Sequence, residues 1–197
     1  MPDYENTILH YQRRWLEPDY LANCEAVADA LDRYMSRPIR RILDIGCGFA
    51  ECSRILQQRH GAELWLLEGD FAATADRDRP SGYGEVDSMQ FYSTIDALKA
   101  QWERQMMTYR FVDANSIDIP KDIKFDLITS HLSCGFHYPV TTYGALIREH
   151  QTEDAVVAMN IRRKTYDRRT DADGWRPRAR ILGDGHGKHS LVDLQIL

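Results

Sequence analysis

The sequence predicts an α/β protein in which helices cover both faces of a doubly wound, mostly parallel sheet. Short apolar segments alternate with amphipathic helical segments along the chain, which is typical of repeated strand-helix-strand units. A glycine-rich turn follows the first apolar segment and an acidic residue ends the second, where doubly wound folds hold a ligand. We expect a single domain over residues 1–197, with an N-terminal helical cap over 1–37 and the sheet over 38–197.

Composition limits the classes of protein that fit. The chain has 197 residues, 43% of them hydrophobic, and a net charge of -5, so one sizeable core is expected and the whole chain is not built for nucleic acid. The sequence shows neither a signal-peptide core nor an apolar run of the ~20 residues that span a membrane. No two of the four cysteines are spaced as Cys-x-x-Cys, which favours reduced thiols and a cytoplasmic protein without membrane contact: Cys24, Cys47, Cys52 and Cys134.

The residues before the first strand predict a helix from about Asp19 to Met35, with Asp19 as the N-cap. The helical spacing is carried by Leu21, Val27, Leu31 and Tyr34. Ahead of this helix lies an aromatic and basic mixture, which we expect to cover an edge of the sheet: Tyr4, His10, Tyr11, Arg13, Arg14 and Trp15.

The segment from Arg41 to Leu56 organises the rest of the chain. It predicts a buried strand, a turn in which Gly46 and Gly48 allow positive φ angles, and a helix that ends near His60-Gly61. A dinucleotide fingerprint requires a third glycine where Glu51 stands, which disfavours a nicotinamide oxidoreductase. The Gly-Lys-Ser/Thr of a phosphate-binding loop is absent.

The order Asp44-Ile45-Gly46-Cys47-Gly48-Phe49-Ala50 resembles motif I of class I S-adenosylmethionine-dependent methyltransferases, with Ala50 in place of the third glycine. The resemblance covers nearly the whole chain. It implies S-adenosyl-L-methionine as the cofactor and a Rossmann-like, seven-stranded sheet that is mostly parallel with an antiparallel C-terminal hairpin. Asp44 suits the ammonium group of such a ligand, and the turn's backbone N–H groups suit its carboxylate. N-terminal helices of this family commonly close over the active site, which gives the aromatic and basic segment an alternative position.

Further cofactor contacts are expected at the ends of the next strands. Glu68 directly follows the predicted strand Glu63 to Leu67. It lies 20 residues after Gly48, about the spacing at which doubly wound folds place an acidic ribose ligand. The alternative is that Glu68 is an exposed acid at the end of the strand. In the resembled family an acid after the third strand, Tyr109 to Val112, contacts the adenine, and Asp113 matches it; the alternative is a turn-forming Asp. The expected cofactor-binding residues are Asp44, Gly46, Cys47, Gly48, Glu68, Gly69, Asp113, Ala114 and Ser130.

Between the second and third strands we expect an irregular loop over 71–89 and then an amphipathic helix. Thr94 is its expected N-cap. Its apolar face is expected to hold Ile95, Leu98, Trp102 and Met106.

Catalytic candidates follow the fourth strand, Phe125 to Ser130, at the carboxyl edge where open α/β sheets bind ligands. The run from Cys134 to Pro139 is similar to a group of small bacterial and phage methyltransferases assigned to sugars. A hydroxyl acceptor needs a base because its pKa lies far above neutrality. His137 and then His131 are the candidates, with Tyr138 as an orienting donor; the alternative is that both histidines are only hydrogen-bonded loop residues.

Other methyltransferase classes fit less well. No Asp/Asn-Pro-Pro-Tyr follows the fourth strand and no Pro-Cys is present, which disfavours adenine, glutamine and cytosine-C5 enzymes. Metal-dependent catechol-type enzymes carry acids after the fourth and fifth strands, where this chain has Ser130, His131 and Asn160. No metal is expected.

The last part of the chain is basic. We expect a helix from Thr142 to His150, a fifth strand from Asp154 to Asn160, and then a run from Arg162 to Arg180 with a net charge of +5. This run is either a solvated face or a surface that attracts an anionic acceptor. Two strands, Arg178 to Leu182 and Ser190 to Leu197, are expected to form a hairpin, with His186 and His189 as turn residues rather than metal ligands.

The main hypothesis is therefore methyl transfer to a small, hydroxylated acceptor, with anionic and sugar-like molecules among the candidates. One alternative is a cofactor-binding regulatory partner of another methyltransferase. The other is a nucleic-acid methyltransferase, which has weaker support because few aromatic residues interrupt the basic run.

Overall fold

A computed structural model describes residues 4–70, 91–137, 140–162, 175–183 and 189–196, without the side chains of 4–8, 162 and 196. Several predicted features lie outside these ranges. They are the loop over 71–89, Tyr138, His186 and residues 163–174 of the basic run.

Seven strands form one sheet in the order β3-β2-β1-β4-β5-β7-β6. The first five are parallel to one another, and β7 runs antiparallel between β5 and β6. This arrangement confirms the predicted Rossmann-like class and its antiparallel C-terminal pair. The strands are β1 (Arg41–Ile45), β2 (Glu63–Glu68), β3 (Tyr109–Asp113), β4 (Phe125–Ser130), β5 (Gln151–Arg162), β6 (Trp175–Gly183) and β7 (His189–Ile196).

Five α-helices accompany the sheet in the described ranges, with a 3-10 turn at Val140–Tyr143. None of them combines the length and the apolar character that crossing a membrane requires. The helices are α1 (Tyr4–Arg14), α2 (Pro18–Tyr34), α3 (Glu51–His60), α4 (Ile95–Arg104) and α5 (Gly144–His150).

The central strands are apolar on both faces. Ile42 of β1 packs into a cluster with α2, α3 and α4, whereas its neighbour Leu43 packs into a second cluster that includes Ile147 of α5. Successive side chains of a strand point to opposite faces, so β1 contributes to both clusters. The carboxyl ends of β1, β2 and β4 are thereby held in a fixed frame.

The boundaries of α2 and α4 differ from prediction, and α5 begins at Gly144 rather than at Thr142. The N-cap of α2 is Glu17 rather than Asp19, and Pro18 stands in the first turn, where its fixed φ suits a helix. Asp19 lies inside that turn and accepts two bonds from Arg14. Met106 was wrongly placed on the apolar face of α4, because the helix ends at Arg104 and the Met106 side chain is 90% exposed. The predicted N-cap Thr94 is confirmed, since its side chain accepts a bond from the Ala97 N–H.

Candidate functional site

A cavity of about 670 Å³ opens at the carboxyl ends of β1, β2 and β4. Six of the residues predicted for the site line it together: Gly46, Cys47, Gly48, Glu68, His131 and His137. Parallel strands end at the same edge of a sheet, so residues far apart in the sequence meet there.

The glycine turn forms the floor of this cavity. Gly46 and Gly48 have φ angles of 67° and 52°, and Ala50, which replaces the third glycine of the motif, also lies in the left-handed region at 56°. A Cβ atom at Gly48 would meet the Trp15 ring at 3.1 Å. The turn therefore leaves its backbone open to close approach, and the Trp15 ring lies against it.

Glu68 joins the glycine turn to the end of β2. Its carboxylate accepts bonds from the backbone N–H of Gly48 at 2.9 Å and of Gly69 at 3.1 Å, and its side chain is 7% exposed. Burial raises the pKa of Glu68 to about 7, and the two backbone bonds oppose that rise. A carboxylate offers about four acceptor positions, so two bonds leave capacity for hydroxyl donors in the cavity.

Asp44 and Ser130 lie beneath the floor and are not among the described residues that line the cavity. Asp44 is 2% exposed and accepts a bond from the Ser53 hydroxyl, while burial raises the pKa of Asp44 to about 7. The Ser130 hydroxyl donates to the carbonyl of Ile45 and accepts from the Cys134 N–H, both at 2.7 Å. The two bonds of Ser130 connect the end of β1 to the loop after β4.

The remaining predicted cofactor residues stand at the ends of β2 and β3. Gly69 packs against Phe91 so closely that a Cβ atom would lie 2.1 Å from its ring. Asp113 accepts from the backbone N–H of Asn115 at 2.8 Å, which is the contact of a turn-forming Asp. The Ala114 N–H donates to the carbonyl of Glu68 at 3.0 Å. Within the described structure neither Asp113 nor Ala114 lines the cavity, and a contact with adenine stays a prediction.

The two candidate bases differ in their surroundings. His137 places Nδ1 3.3 Å from the Tyr92 hydroxyl and packs edge-on against the Tyr92 ring. His131 is held on both nitrogens, by Asn160 at 3.0 Å and by Asn23 at 3.2 Å. Burial lowers the pKa of His131 to about 4, so this ring is a poor base at neutral pH.

The fold of this chain matches solved methyltransferase structures, although its sequence is very different from theirs. No protein-family model and no curated protein matches the sequence. A structural match is CalS10, an amino pentose methyltransferase from Micromonospora echinaspora solved with S-adenosylmethionine: TM-score 0.59, 14% identity, 95% of this chain and 96% of that one. A second is a TehB-like S-adenosylmethionine-dependent methyltransferase from Corynebacterium glutamicum: TM-score 0.54, 16% identity, 96% and 98%.

This is the fold of the class I S-adenosylmethionine-dependent methyltransferases. The plantazolicin methyltransferase BpumL, solved with S-adenosylhomocysteine (SAH), shares it at a TM-score of 0.56 and 14% identity over 87% of this chain. The chain spans 58% of the length of BpumL, and 53% of a matched methyltransferase from Clostridium acetobutylicum.

The N-terminal residues of this methyltransferase fold cover the cavity, which is the alternative position considered for the aromatic and basic segment. Tyr11 stacks on Tyr92 with ring centres 4.1 Å apart, and the Gln12 amide donates to the Ser93 hydroxyl at 2.8 Å. Trp15 packs edge-on against Phe49 beside the glycine turn. Helix α1 is thereby attached to Tyr92 and Ser93, and Trp15, which follows the helix, is attached to the glycine turn.

Several residues of the cavity wall were not expected there, among them Asn23, Tyr92 and His189. His189 was predicted as a turn residue, but it is the first residue of β7 and its ring reaches Asn160 and Phe136. Among the described residues, no three His, Cys, Asp or Glu side chains are placed to hold a metal ion.

Proposed function

We propose that the protein transfers the methyl group of S-adenosylmethionine to a hydroxyl oxygen of a small, uncharged acceptor. One observation carries the proposal: the strand-end carboxylate of Glu68 bonds the Gly48 backbone inside a cavity whose other wall holds His137. The methyltransferase fold supports it, because CalS10 and BpumL have S-adenosylmethionine and SAH bound.

The residues present fit such a cofactor. The turn from Gly46 to Gly48 has no Cβ atom at its two positive-φ positions, which lets a ligand approach the backbone. Glu68 can accept bonds from two ribose hydroxyls, each charge-assisted bond contributing roughly 1.5 to 3 kcal/mol. Cys47 lines the same floor, and the N–H of Gly69 holds the Glu68 carboxylate. We further propose that Asp44 contacts the ammonium group of the cofactor. Asp113 and Ala114 are proposed to contact the adenine, and Ser130 is proposed as a further cofactor-binding residue.

When bound, S-adenosylmethionine supplies a methyl group on a sulfonium, which the acceptor oxygen takes as the carbon–sulfur bond breaks. The chain's task is to align the acceptor and to remove its proton. Alignment alone can lower the activation free energy by ~7 to 11 kcal/mol, and a positioned base increases the rate by about 10²- to 10⁴-fold. His137 is the proposed base, because the low pKa of His131 makes that ring unsuitable. Tyr138 is retained as a proposed orienting residue.

An uncharged acceptor is favoured by the cavity wall. Arg14 is the only Lys or Arg among the described lining residues, and its guanidinium bonds both oxygens of Asp19 at 2.9 Å and also pairs with Glu17. The rest of the wall is largely aromatic: Tyr11, Trp15, Tyr20, Phe91, Tyr92 and Phe136. A hydroxylated ring or sugar suits such a wall better than an anion does. CalS10, an amino pentose methyltransferase, supports a sugar-like acceptor.

Calorimetric titration tests the cofactor half of the proposal. SAH should bind the purified protein, and Glu68→Gln should weaken binding at least tenfold. Glu63→Gln is the matched control, since Glu63 begins the same strand at its far end and pairs with Arg41 and Arg110. Absence of heat in the unaltered protein, or equal affinity in both variants, would refute the cofactor site.

Transfer of a tritiated methyl group tests the catalytic half. The purified chain is offered a panel of uncharged phenols and glycosides together with their phosphorylated counterparts. Product from the uncharged members supports the proposal. Product only from the phosphorylated members would overturn the acceptor class, and cofactor binding without any product would favour a regulatory partner.

A further inference from the structure

Four polar side chains from four parts of the fold form a hydrogen-bonded chain along the side of the cavity that holds His131 and His189. Asn23 of α2, His131 after β4 and His189 of β7 line the cavity, and Asn160 of β5 lies between the two histidines with 2% exposure. The Asn160 amide is 3.0 Å from His131 Nδ1 and 3.4 Å from His189 Nδ1. Asn160 is paired with Leu191 across the strands, and His189 lies two residues earlier on the same face.

One backbone group sets the direction of every bond in this chain. The N–H of Leu132 lies 3.1 Å from Asn160 Oδ1, and a backbone N–H can only donate. The side of the Asn160 amide that faces Leu132 and His131 is therefore the acceptor oxygen, and the side that faces His189 is the donor Nδ2. It follows that Nδ1 of His131 carries a proton and donates to Asn160 Oδ1, and that Nδ1 of His189 accepts a hydrogen bond from Asn160 Nδ2. A neutral His189 then holds its own proton on Nε2.

The second nitrogen of His131 is also committed. Nε2 carries no proton in this arrangement, and it lies 3.2 Å from the Asn23 amide nitrogen, which donates to it. A second proton on His131 would face the amide N–H of Asn23 and would break this bond. The lowered pKa of His131 agrees with a ring that stays neutral.

We propose that Asn160 is a positioning residue that holds the two histidines as opposite tautomers, Nδ1–H in His131 and Nε2–H in His189. Neither ring can take up a proton without breaking a bond of the chain. This inference rests on the proposed function for its consequence: of the three histidines on the described wall, His137 is the one left to receive the acceptor's hydroxyl proton.

Nitrogen-15 NMR of the histidine side chains in the full-length protein tests the assignment directly. Signals are assigned with His131→Gln and His189→Gln, and the spectrum is recorded near pH 7.5 without cofactor or acceptor. His131 should be protonated on Nδ1 alone and His189 on Nε2 alone. A wild-type His189 protonated on Nδ1 would overturn the proposal, whatever the variants do.

Asn160→Asp provides the second arm. A carboxylate oxygen replaces the donor that faces His189 and keeps the acceptor that faces His131. The proton of His189 should therefore move to Nδ1, while His131 keeps its tautomer. Asn115→Asp, at an exposed turn, is the matched control and should change neither ring. An unchanged His189 in folded Asn160→Asp would refute the role of Asn160, and because no methyl transfer is measured, the result is independent of the proposed activity.

Discussion

The carboxylate of Glu68 and the backbone N–H of Gly48 are joined by a hydrogen bond of 2.9 Å, although Glu68 ends β2 and Gly48 lies in the turn after β1. Glu68 is nearly buried, and burial raises its pKa to about 7. The side chain that is proposed to bind ribose therefore has a pKa close to neutral pH.

The affinity for SAH should accordingly depend on pH. Ribose hydroxyls that donate to Glu68 favour its charged form, so the bound state has a lower pKa than the free state. Affinity should rise by about tenfold from pH 6 to pH 8, because protonation competes below a pKa of about 7. Titration calorimetry at both pH values measures this change. Glu68→Gln should remove most of the dependence, and a variant that keeps it would show that another group is responsible.

Asp44 should make the stability of the protein depend on pH in the opposite direction from an ion-paired surface acid. Its pKa is raised from 3.8 to about 7, so the folded state holds a proton that the unfolded state releases. The proton on Asp44 therefore favours the folded state at low pH, and this stabilisation is lost as pH rises from about 4 to 7. Above pH 7 the buried charge costs up to about 4 kcal/mol.

Asp44→Asn should therefore unfold at a higher urea concentration than the wild type at pH 8, with a smaller difference at pH 5. An asparagine oxygen can still accept the bond from Ser53. Asp154→Asn is the control, because Asp154 is an exposed acid paired with Arg37. If Asp44→Asn were destabilised equally at both pH values, ionisation of Asp44 would not be the cause.

The order of strands and helices could be predicted because it depends on local patterns. Ile42, Leu43 and Ile45 identify a strand, and Gly61 ends α3 with a φ of 65°. The bond between Asn23 and His131 joins residues 108 positions apart, and no periodicity within either segment indicates it. The same holds for Tyr92 beside His137.

Within the candidate site, the position of the motif in the fold could be predicted from the sequence, whereas the contacts of its side chains could not. Glu68 lies in the cavity as expected, whereas Asp44 and Ser130 point into the floor, because their side chains bond Ser53 and Ile45 there. A motif fixes which residue types follow a strand, but the packing of the next helix decides which way a side chain turns.

His137→Gln should lower the rate of methyl transfer by about 10²- to 10⁴-fold at saturating acceptor, because the proposed base is removed. The affinity for SAH should stay within a factor of two of the wild type, since the ring is not part of the glycine turn. Tyr92→Phe keeps the stack on Tyr11 and removes only the hydroxyl near His137, so a smaller loss is expected. Equal rates in His137→Gln and the wild type would exclude His137 as the base.

Met106 should respond to replacement by glycine with increased stability. It follows the last turn of α4 with a φ of 54°, and its N–H donates to Glu103 O while that of Met107 donates to Trp102 O. This pair of bonds is a Schellman motif, in which glycine takes the left-handed position without strain. The Met106 side chain is 90% exposed, so little packing is lost.

Met106→Gly should therefore raise the free energy of unfolding by roughly 0.5 to 1 kcal/mol. Met107→Gly is the matched control one residue later, because Met107 packs against the core cluster and should be destabilised by its removal. Urea unfolding of both variants measures the two changes. A loss of stability in Met106→Gly would mean that α4 continues past Arg104 in solution, with Met106 on its apolar face.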